Sequence, residues 1–305
     1  MKFIDFSACS YLDNITVDRT AESNAFYGVS DKTFIYLPSS CSAAQGQKNV
    51  VIGNVGTELV LTDGMDFDPR VAFSFPSATY DRSFAAKSIA TESYEKKGYT
   101  VCLPFAWTLT LEQNSEAKVY APTKIEDVEG VTTVTFSEVE GGQIQAYKPY
   151  YIVVSTGGAT INGQGGSVEQ HQTAGSAVID DASYQFKGST VTIDNATLYD
   201  EQKPAYILQS DGLWHKVPQN QPLAYVGPFR AYFQATGSSP VHSLATMLDG
   251  SYNPNEGSGA NGIQPVIHTV DTDGTEHYFD LSGRLLNYKP QKGIYIQNGK
   301  KHINK

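Results

Sequence analysis

The chain has 305 residues, which is long enough to bury at least two hydrophobic cores. Charged residues make up only 18% of it, while 19 tyrosines and 14 phenylalanines give it the aromatic-rich composition that favours β-structure. The formal net charge of −10 argues against a nucleic-acid partner, because no basic stretch beyond the terminal lysines offsets it.

The first 52 residues have the spacing of a leucine-rich turn-and-strand unit. Asn14 stands where such units place a ladder asparagine, and a second stretch, AFYGVSDKTFIYLPSS, brings a strand after a glycine turn. One such unit cannot bury its own apolar face, because repeats are stable only when they are stacked. The apolar positions that carry the spacing are Ile4, Phe6, Cys9, Leu12, Ile15 and Val17.

This segment resembles the final repeat of BspA-like leucine-rich-repeat surface proteins of Bacteroidota. In that family an AF-x-G motif precedes a strand that ends in YLP, and both motifs are present at residues 25–38. The alternative is an ordinary β-edge segment. The N-terminus MKFIDF lacks the apolar core of a signal peptide. Together with the resemblance, this predicts that a longer N-terminal part precedes Met1 in the full-length protein.

Residues 53–250 are predicted to form an all-β, antiparallel, sandwich-like central region. Short runs of alternating apolar and polar residues are separated by Gly, Asn, Asp and Pro turns throughout. Helical composition is confined to residues 83–98. The glycine-rich stretch GGATINGQGGS, at 157–167, lacks the lysine and the following helix of a phosphate-binding loop. It is therefore predicted to be a flexible loop.

Four motifs of the central region resemble a β module that is common in large Bacteroidota surface proteins. The motifs are Y-x-R-x-F at 80–84, CLPF at 102–105, KPY at 148–150 and PFRAYF at 228–233, in the order that the module has. The resemblance implies a β fold whose activity is generally unassigned. It implies no catalytic residue.

Residues 251–265 form a predicted linker rich in Gly, Asn and Pro, and residues 266–305 a small C-terminal β module. In this module Asn298-Gly299 predicts a two-residue hairpin turn. The segment 278–305 resembles the C-terminal sorting tail of proteins exported by type IX secretion, in which D-x-x-G-R precedes K-G-[IL]-Y-I-x-[ND]-G-K-K. The resemblance implies an extracellular or cell-surface location, with outer-membrane association only through export or anchoring.

Aromatic residues near predicted strands suggest a ligand-binding function. Trp107, Trp214, Tyr225 and Tyr232 lie in or beside predicted strands, where an exposed ring could bind a sugar face. Burial in the sheet core is the structural alternative for each of them. Trp214 follows an Asp-Gly turn, so the predicted ligand-binding residues are Trp214, with His215 and Tyr232 as hydrogen-bonding neighbours.

Neither a metal site nor a cofactor site is predicted. The six histidines are scattered and the three cysteines form no CxxC pair, so zinc-ligand spacing is absent from the sequence. Cys102 is interpreted as a small buried residue, while pairing of Cys9 with Cys41 is left open. The acids of TDGMDFD, at 62–68, are interpreted as solvated turn residues.

The function predicted from the sequence is non-catalytic adhesion or recognition of a host protein or glycan by a secreted or surface protein. Two alternatives remain open. A carbohydrate-binding module would present an exposed aromatic row, and a hydrolase in the central region would present two convergent carboxylates or a Ser-His pair in a pocket.

Overall fold

The computed structural model describes residues 2–86, 98–128, 130–139, 144–179, 183–209 and 212–249, followed by five short strands between residues 251 and 304. The chain divides into two compact units. The first comprises residues 1–128 and 132–256, and the second residues 129–131 and 257–305. The described residues form 25 strands and one short helix, so the predicted all-β fold class is confirmed.

The strands of the first half are short in the repeat-like segment and long in the central region. In chain order they are β1 (Phe3–Asp5), β2 (Thr16–Val17), β3 (Phe34–Leu37), β4 (Ser42–Ala43), β5 (Val50–Ile52), β6 (Val55–Gly56), β7 (Leu59–Leu61), β8 (Phe73–Ala85), β9 (Gly98–Cys102), β10 (Trp107–Leu111), β11 (Glu116–Val128) and β12 (Val131–Glu138).

The second half continues with strands and contains the helix α1 (Asn195–Leu198). Its strands are β13 (Pro149–Thr156), β14 (Gly158–Val168), β15 (Ala174–Val178), β16 (Tyr184–Ser189), β17 (Ala205–Leu208), β18 (Trp214–Lys216), β19 (Arg230–Ala235), β20 (Ser243–Leu248), β21 (Ser251–Tyr252), β22 (Tyr278–Phe279), β23 (Leu285–Leu286), β24 (Gly293–Gln297) and β25 (Lys300–Asn304).

The first sheet begins with a parallel ladder. β1, β3 and β5 pair in parallel, and the sheet continues through β6 to β8, β14 and β10, with β7 also paired to β8. β3 is buried on both faces, since Ile35 and Leu37 enter a core with Val17 and Phe26 while Phe34 and Tyr36 face the central region. β1, β3 and β5 of the repeat-like segment therefore share one continuous sheet with the strands that follow, while β2 and β4 pair with each other.

The asparagine of the repeat-like segment acts at a different position from the predicted one. Asn14 has a positive φ of 58° and occupies a turn. Asn49 is buried instead, and its side-chain amide donates to the carbonyls of Asp31 and Val60 at 3.0 and 2.9 Å. One asparagine thus holds the preceding turn and the following strand together.

The second sheet has eleven strands and is strongly curled. Its order is β15-β16-β19-β17-β18-β20-β12-β11-β13-β9, with β21 paired to β20. The edge strand β9 lies beside β19, where the Ala231 amide donates to Thr100 Oγ1 at 3.1 Å. The pairing is mixed rather than purely antiparallel as predicted, because β12 and β20 run parallel. β21 also places Ser251 and Tyr252, the first two residues of the predicted linker, in this sheet.

Two cores follow from the alternation of β13, which is buried on both faces. Tyr150, Ile152 and Val154 enter the inter-sheet core, formed between the two large sheets together with Phe73, Phe75 and Tyr80. Tyr151 and Val153 point the other way, into the inner core enclosed by the curled sheet. The two sheets thus pack face to face, in a sandwich-like arrangement.

The glycine-rich stretch that was predicted to be a flexible loop forms most of the strand β14, which lies next to the edge strand β10 of the first sheet. It pairs with β8 on one side and β10 on the other. A Cβ on Gly163 would lie 2.6 Å from the Phe105 ring, and one on Gly165 would lie 2.4 Å from the Pro76 carbonyl oxygen. Its glycines therefore allow close packing rather than flexibility.

Cys102 is fully buried, and burial raises the pKa of its thiol to about 12. A Cβ added to Gly188 of β16 would lie only 2.3 Å from the Cys102 sulfur. The interpretation of Cys102 as a small core residue is confirmed. Cys9 and Cys41 are both free thiols.

Substituting Gly188 by alanine is expected to destabilise the chain by about 1–3 kcal/mol, because the new methyl group overpacks the buried Cys102. Gly237→Ala is the matched control, since a Cβ there meets no atom within 4 Å. Urea denaturation followed by far-UV circular dichroism measures both variants. Equal midpoints for the two would show that the core around Cys102 is not tightly packed.

The tail strands form a separate four-stranded sheet in the order β23-β22-β24-β25. β24 and β25 are antiparallel, and the pairing of Gln297 with Lys300 leaves two residues between them, as the predicted hairpin requires.

The helix α1 is the only helix among the described residues. The helical composition at 83–98 therefore gave a wrong prediction for Ser83–Ala85, which form the end of β8. Residues 87–97 and most of the predicted linker lie outside the described residues.

Candidate functional site

The structure places Trp214 inside the inner core, so the predicted glycan contact at this residue is wrong. The side chain is 0% exposed and packs against Phe136, Phe186 and Phe233. Its indole nitrogen donates to Thr246 Oγ1 at 3.0 Å. β18 lies between β17 and β20 and turns this side chain to the concave face of the curled sheet, where no sugar can reach it.

His215 and Tyr232 do not join Trp214 in a site. His215 follows Trp214 in β18, so its side chain points to the other face of the sheet. There it is the cross-strand neighbour of Ile207 of β17. Tyr232 is 8% exposed and packs in an outer core with Ile207, Val217 and Val226. Burial raises the pKa of its phenol. The three predicted residues are thus divided between two faces of one sheet.

The acids of TDGMDFD are partnered, contrary to their interpretation as solvated turn residues. Asp66 accepts hydrogen bonds from the backbone amide and hydroxyl of Thr192 at 2.7 and 2.8 Å. Asp68 lies 2.9 Å from His171 Nδ1. Asp63 makes the most contacts, and it does so with residues of two of the four motifs.

These motif residues meet in an arginine cluster of Asp63, Tyr80, Arg82 and Arg230. Arg230 Nη2 donates to both carboxylate oxygens of Asp63, at 2.8 and 3.0 Å, and its Nη1 donates to the Tyr80 hydroxyl at 3.0 Å. The Tyr80 hydroxyl in turn donates to Asp63. Arg82 Nε lies 3.8 Å from Asp63. The Y-x-R-x-F and PFRAYF motifs therefore converge in space, although 150 residues separate Tyr80 from Arg230.

The charges of the cluster do not balance. Burial by itself would raise the pKa of Asp63, but the Tyr80 hydrogen bond and the Arg230 guanidinium outweigh it and lower that pKa. Burial lowers the pKa of Arg82, and the neighbouring charge of Arg230 lowers it further. Two guanidinium groups thus share one carboxylate, which leaves one positive charge in excess.

A pocket of about 660 Å³ opens on the arginine side of this cluster. Arg82 and Arg230 line it, together with Thr192, Gln209, Leu223 and Tyr225. Tyr225 and Leu223 are exposed at 51% and 84%, whereas the Arg82 side chain is only 13% exposed. The pocket therefore has a cationic, largely desolvated part and an apolar part in contact with solvent.

The described lining of this arginine pocket offers guanidinium, hydroxyl, amide and aromatic groups. Of the described residues that line it, none is an aspartate, glutamate, histidine, serine or cysteine. Groups of three or more metal-ligating side chains are likewise absent from the described part of the chain, and no helix there is long and apolar enough to cross a bilayer.

Sequence reasoning had named parts of this pocket without assembling them. Tyr225 was among the four aromatic candidates, and Arg230 lies in the PFRAYF motif. Arg82 makes cation–π contacts, 4.8 Å from the Phe84 ring centre and 5.1 Å from that of Tyr99. An arginine recurs in two of the four motifs, but the sequence analysis did not connect the two residues.

Comparison with known proteins adds no relative, since neither a family model, nor a curated protein, nor a solved structure matches the chain at a significant level.

Proposed function

We propose that this chain is a non-catalytic recognition module of an exported bacterial surface protein, built from a leucine-rich-repeat end, a ligand-binding β region and a sorting tail. Its expected location is the cell surface or the extracellular space. The expected ligand is a host protein or a glycan, and no nucleic acid.

The parallel ladder β1-β3-β5 is the observation that carries this proposal. Stacked repeats place one parallel strand per repeat side by side, and the ladder pairs Phe3 with Phe34 and Ile35 with Val50 in that manner. The buried Asn49, which bonds the backbone on either side of its strand, is the kind of link that such repeats use. Both features support the resemblance to BspA-like proteins.

The convergence of the motifs supports a binding role for the central region. A module used for recognition needs a fixed arrangement of polar groups on a rigid scaffold. Arg82 and Arg230 are held by β8 and β19, which belong to the two packed sheets rather than to loops. The arginine pocket is therefore the surface on which we expect a ligand to bind.

Deletion of residues 278–305 is expected to retain the protein inside a bacterium that carries type IX export machinery. The same deletion should leave the thermal melting transition of the first unit unchanged, because the tail strands pair only with one another among the described residues. Accessibility to protease added to intact cells measures the first effect, and calorimetry the second.

The control for this deletion is the tail itself, fused to an unrelated periplasmic cargo, which should then reach the surface. Surface display of the shortened chain at the normal level would contradict the export role. A lowered melting transition would show that the tail contributes to the stability of the first unit.

A further inference from the structure

We propose that the arginine pocket binds an acidic saccharide, a uronic or sialic acid residue whose carboxylate meets Arg82 and Arg230 and whose ring lies against Tyr225. This inference rests on the proposed recognition function and gives it a ligand class.

The charge balance of the cluster calls for an anion. Asp63 is shared between Arg82 and Arg230. The neighbouring Asp81 accepts a hydrogen bond from the Asp63 backbone amide at 2.6 Å, and its charge is paired with Lys32 at 3.5 Å. A partly buried guanidinium without a full counter-charge is costly, and an incoming anion offsets that cost. No acid is present among the described residues lining the pocket, and the carboxylate of Asp63 is already bonded to Arg230 and Tyr80.

The guanidinium groups favour a carboxylate in particular. Arg82 packs over the Phe84 and Tyr99 rings, and its Nη1 donates to the Thr100 carbonyl at 3.3 Å. A guanidinium is a planar fork of N–H donors, and this shape matches the two oxygens of a carboxylate.

The other walls of the pocket suit a sugar ring. Tyr225 is half exposed and presents an aromatic face of the kind that packs on the C–H groups of a pyranose. Gln209 brings an amide for hydroxyl groups of the ligand, and the Thr192 hydroxyl, whose proton is donated to Asp66, still has an acceptor oxygen. The volume of about 660 Å³ lies within the range of small-molecule sites and accommodates a mono- or disaccharide.

Calorimetric titration of the intact chain tests the proposal with four probes: glucuronic acid, N-acetylneuraminic acid, glucose and inorganic phosphate. Saturable binding of at least one acidic sugar is expected, with no binding of glucose and weaker binding of phosphate. Glucose bound as tightly as glucuronic acid would overturn the role of the arginines. Phosphate bound as tightly as the acidic sugars would show that the pocket recognises an anion and not a sugar.

Tyr225→Ala is expected to weaken binding of the acidic sugar by about tenfold or more. Tyr27→Ala is the matched control, because Tyr27 is 52% exposed against 51% for Tyr225 and lies in the repeat-like segment outside the pocket. Equal loss of affinity in both variants, or in neither, would contradict the ring contact.

Arg82→Gln should abolish binding, and a thermal melt must accompany it because Arg82 also packs in the fold. If that variant unfolds, the glucuronic acid against glucose comparison and the tyrosine pair still decide the question. Binding of a short peptide through its C-terminal carboxylate, in preference to the sugars, would also overturn the proposal. Surface display is measured separately from sugar binding. Failure of the sugar titration would therefore contradict the ligand class alone, and failure of the export experiment would contradict the export role alone.

Discussion

Replacing Trp214 with alanine is expected to lower the free energy of unfolding by about 3–5 kcal/mol. The indole is completely buried between Phe136, Phe186 and Phe233, and the structure around a truncated side chain closes only in part. The variant also leaves the hydroxyl of Thr246 without its partner in the inner core.

Urea denaturation measures this effect through the shift in the midpoint at constant slope. Tyr11→Ala is the control, since Tyr11 is 97% exposed and its loss is expected to change the free energy of unfolding by less than about 0.5 kcal/mol. A Trp214→Ala variant as stable as wild type would mean that the ring is exposed in solution, and the discarded glycan contact at this residue would have to be restored.

Substituting Asp63 by asparagine is expected to cost on the order of 2–3 kcal/mol at neutral pH. The change removes the counter-charge shared by Arg82 and Arg230 and weakens the hydrogen bond from Tyr80. Breaking a fully buried pair costs about 3–5 kcal/mol, and Asp63 remains one-third exposed, so the expected loss lies below that range.

The effect of Asp63 depends on pH in a defined direction. Its pKa in the folded chain is lowered, so its stabilising contribution is complete above the pKa of an unfolded aspartate, about 4. That contribution disappears as the pH falls through the lower, folded-state value. The difference in stability between wild type and Asp63→Asn is therefore expected to be largest near pH 7 and to shrink steadily below about pH 4.

Unfolding curves recorded between neutral pH and about pH 2 check this dependence. Asp68→Asn is the matched control, because Asp68 forms an ion pair with the exposed His171, and such surface pairs contribute about 0–1 kcal/mol. A difference between wild type and Asp63→Asn that stays constant down to the lowest pH would show that the carboxylate of Asp63 is not the stabilising group.

The strands and the tail hairpin were predictable from the sequence because they depend on neighbouring residues. Short runs rich in branched and aromatic residues indicated strands such as β12, β13 and β19. The two positions after Gln297 predicted a hairpin that the pairing of β24 with β25 confirms. The small, buried character of Cys102 followed from its apolar surroundings in the same way.

The faces of the strands and the assembly of the site were decided by the tertiary structure. Period-2 alternation places Trp214 and His215 on opposite faces, but it does not state which face becomes the inside of a curled sheet. The glycines of β14 look like a loop until Phe105 and Pro76 are seen packed against them.

The arginine cluster needed the tertiary structure most of all. Asp63 and Arg230 are 167 positions apart, and each in isolation resembles an ordinary surface charge. The composition, the alternation of strand residues and the turn motifs by themselves determined an all-β chain with a separate tail hairpin. Which charges share a carboxylate, and which aromatic ring faces solvent, depends on contacts between distant strands, and such contacts leave no local pattern in a single sequence.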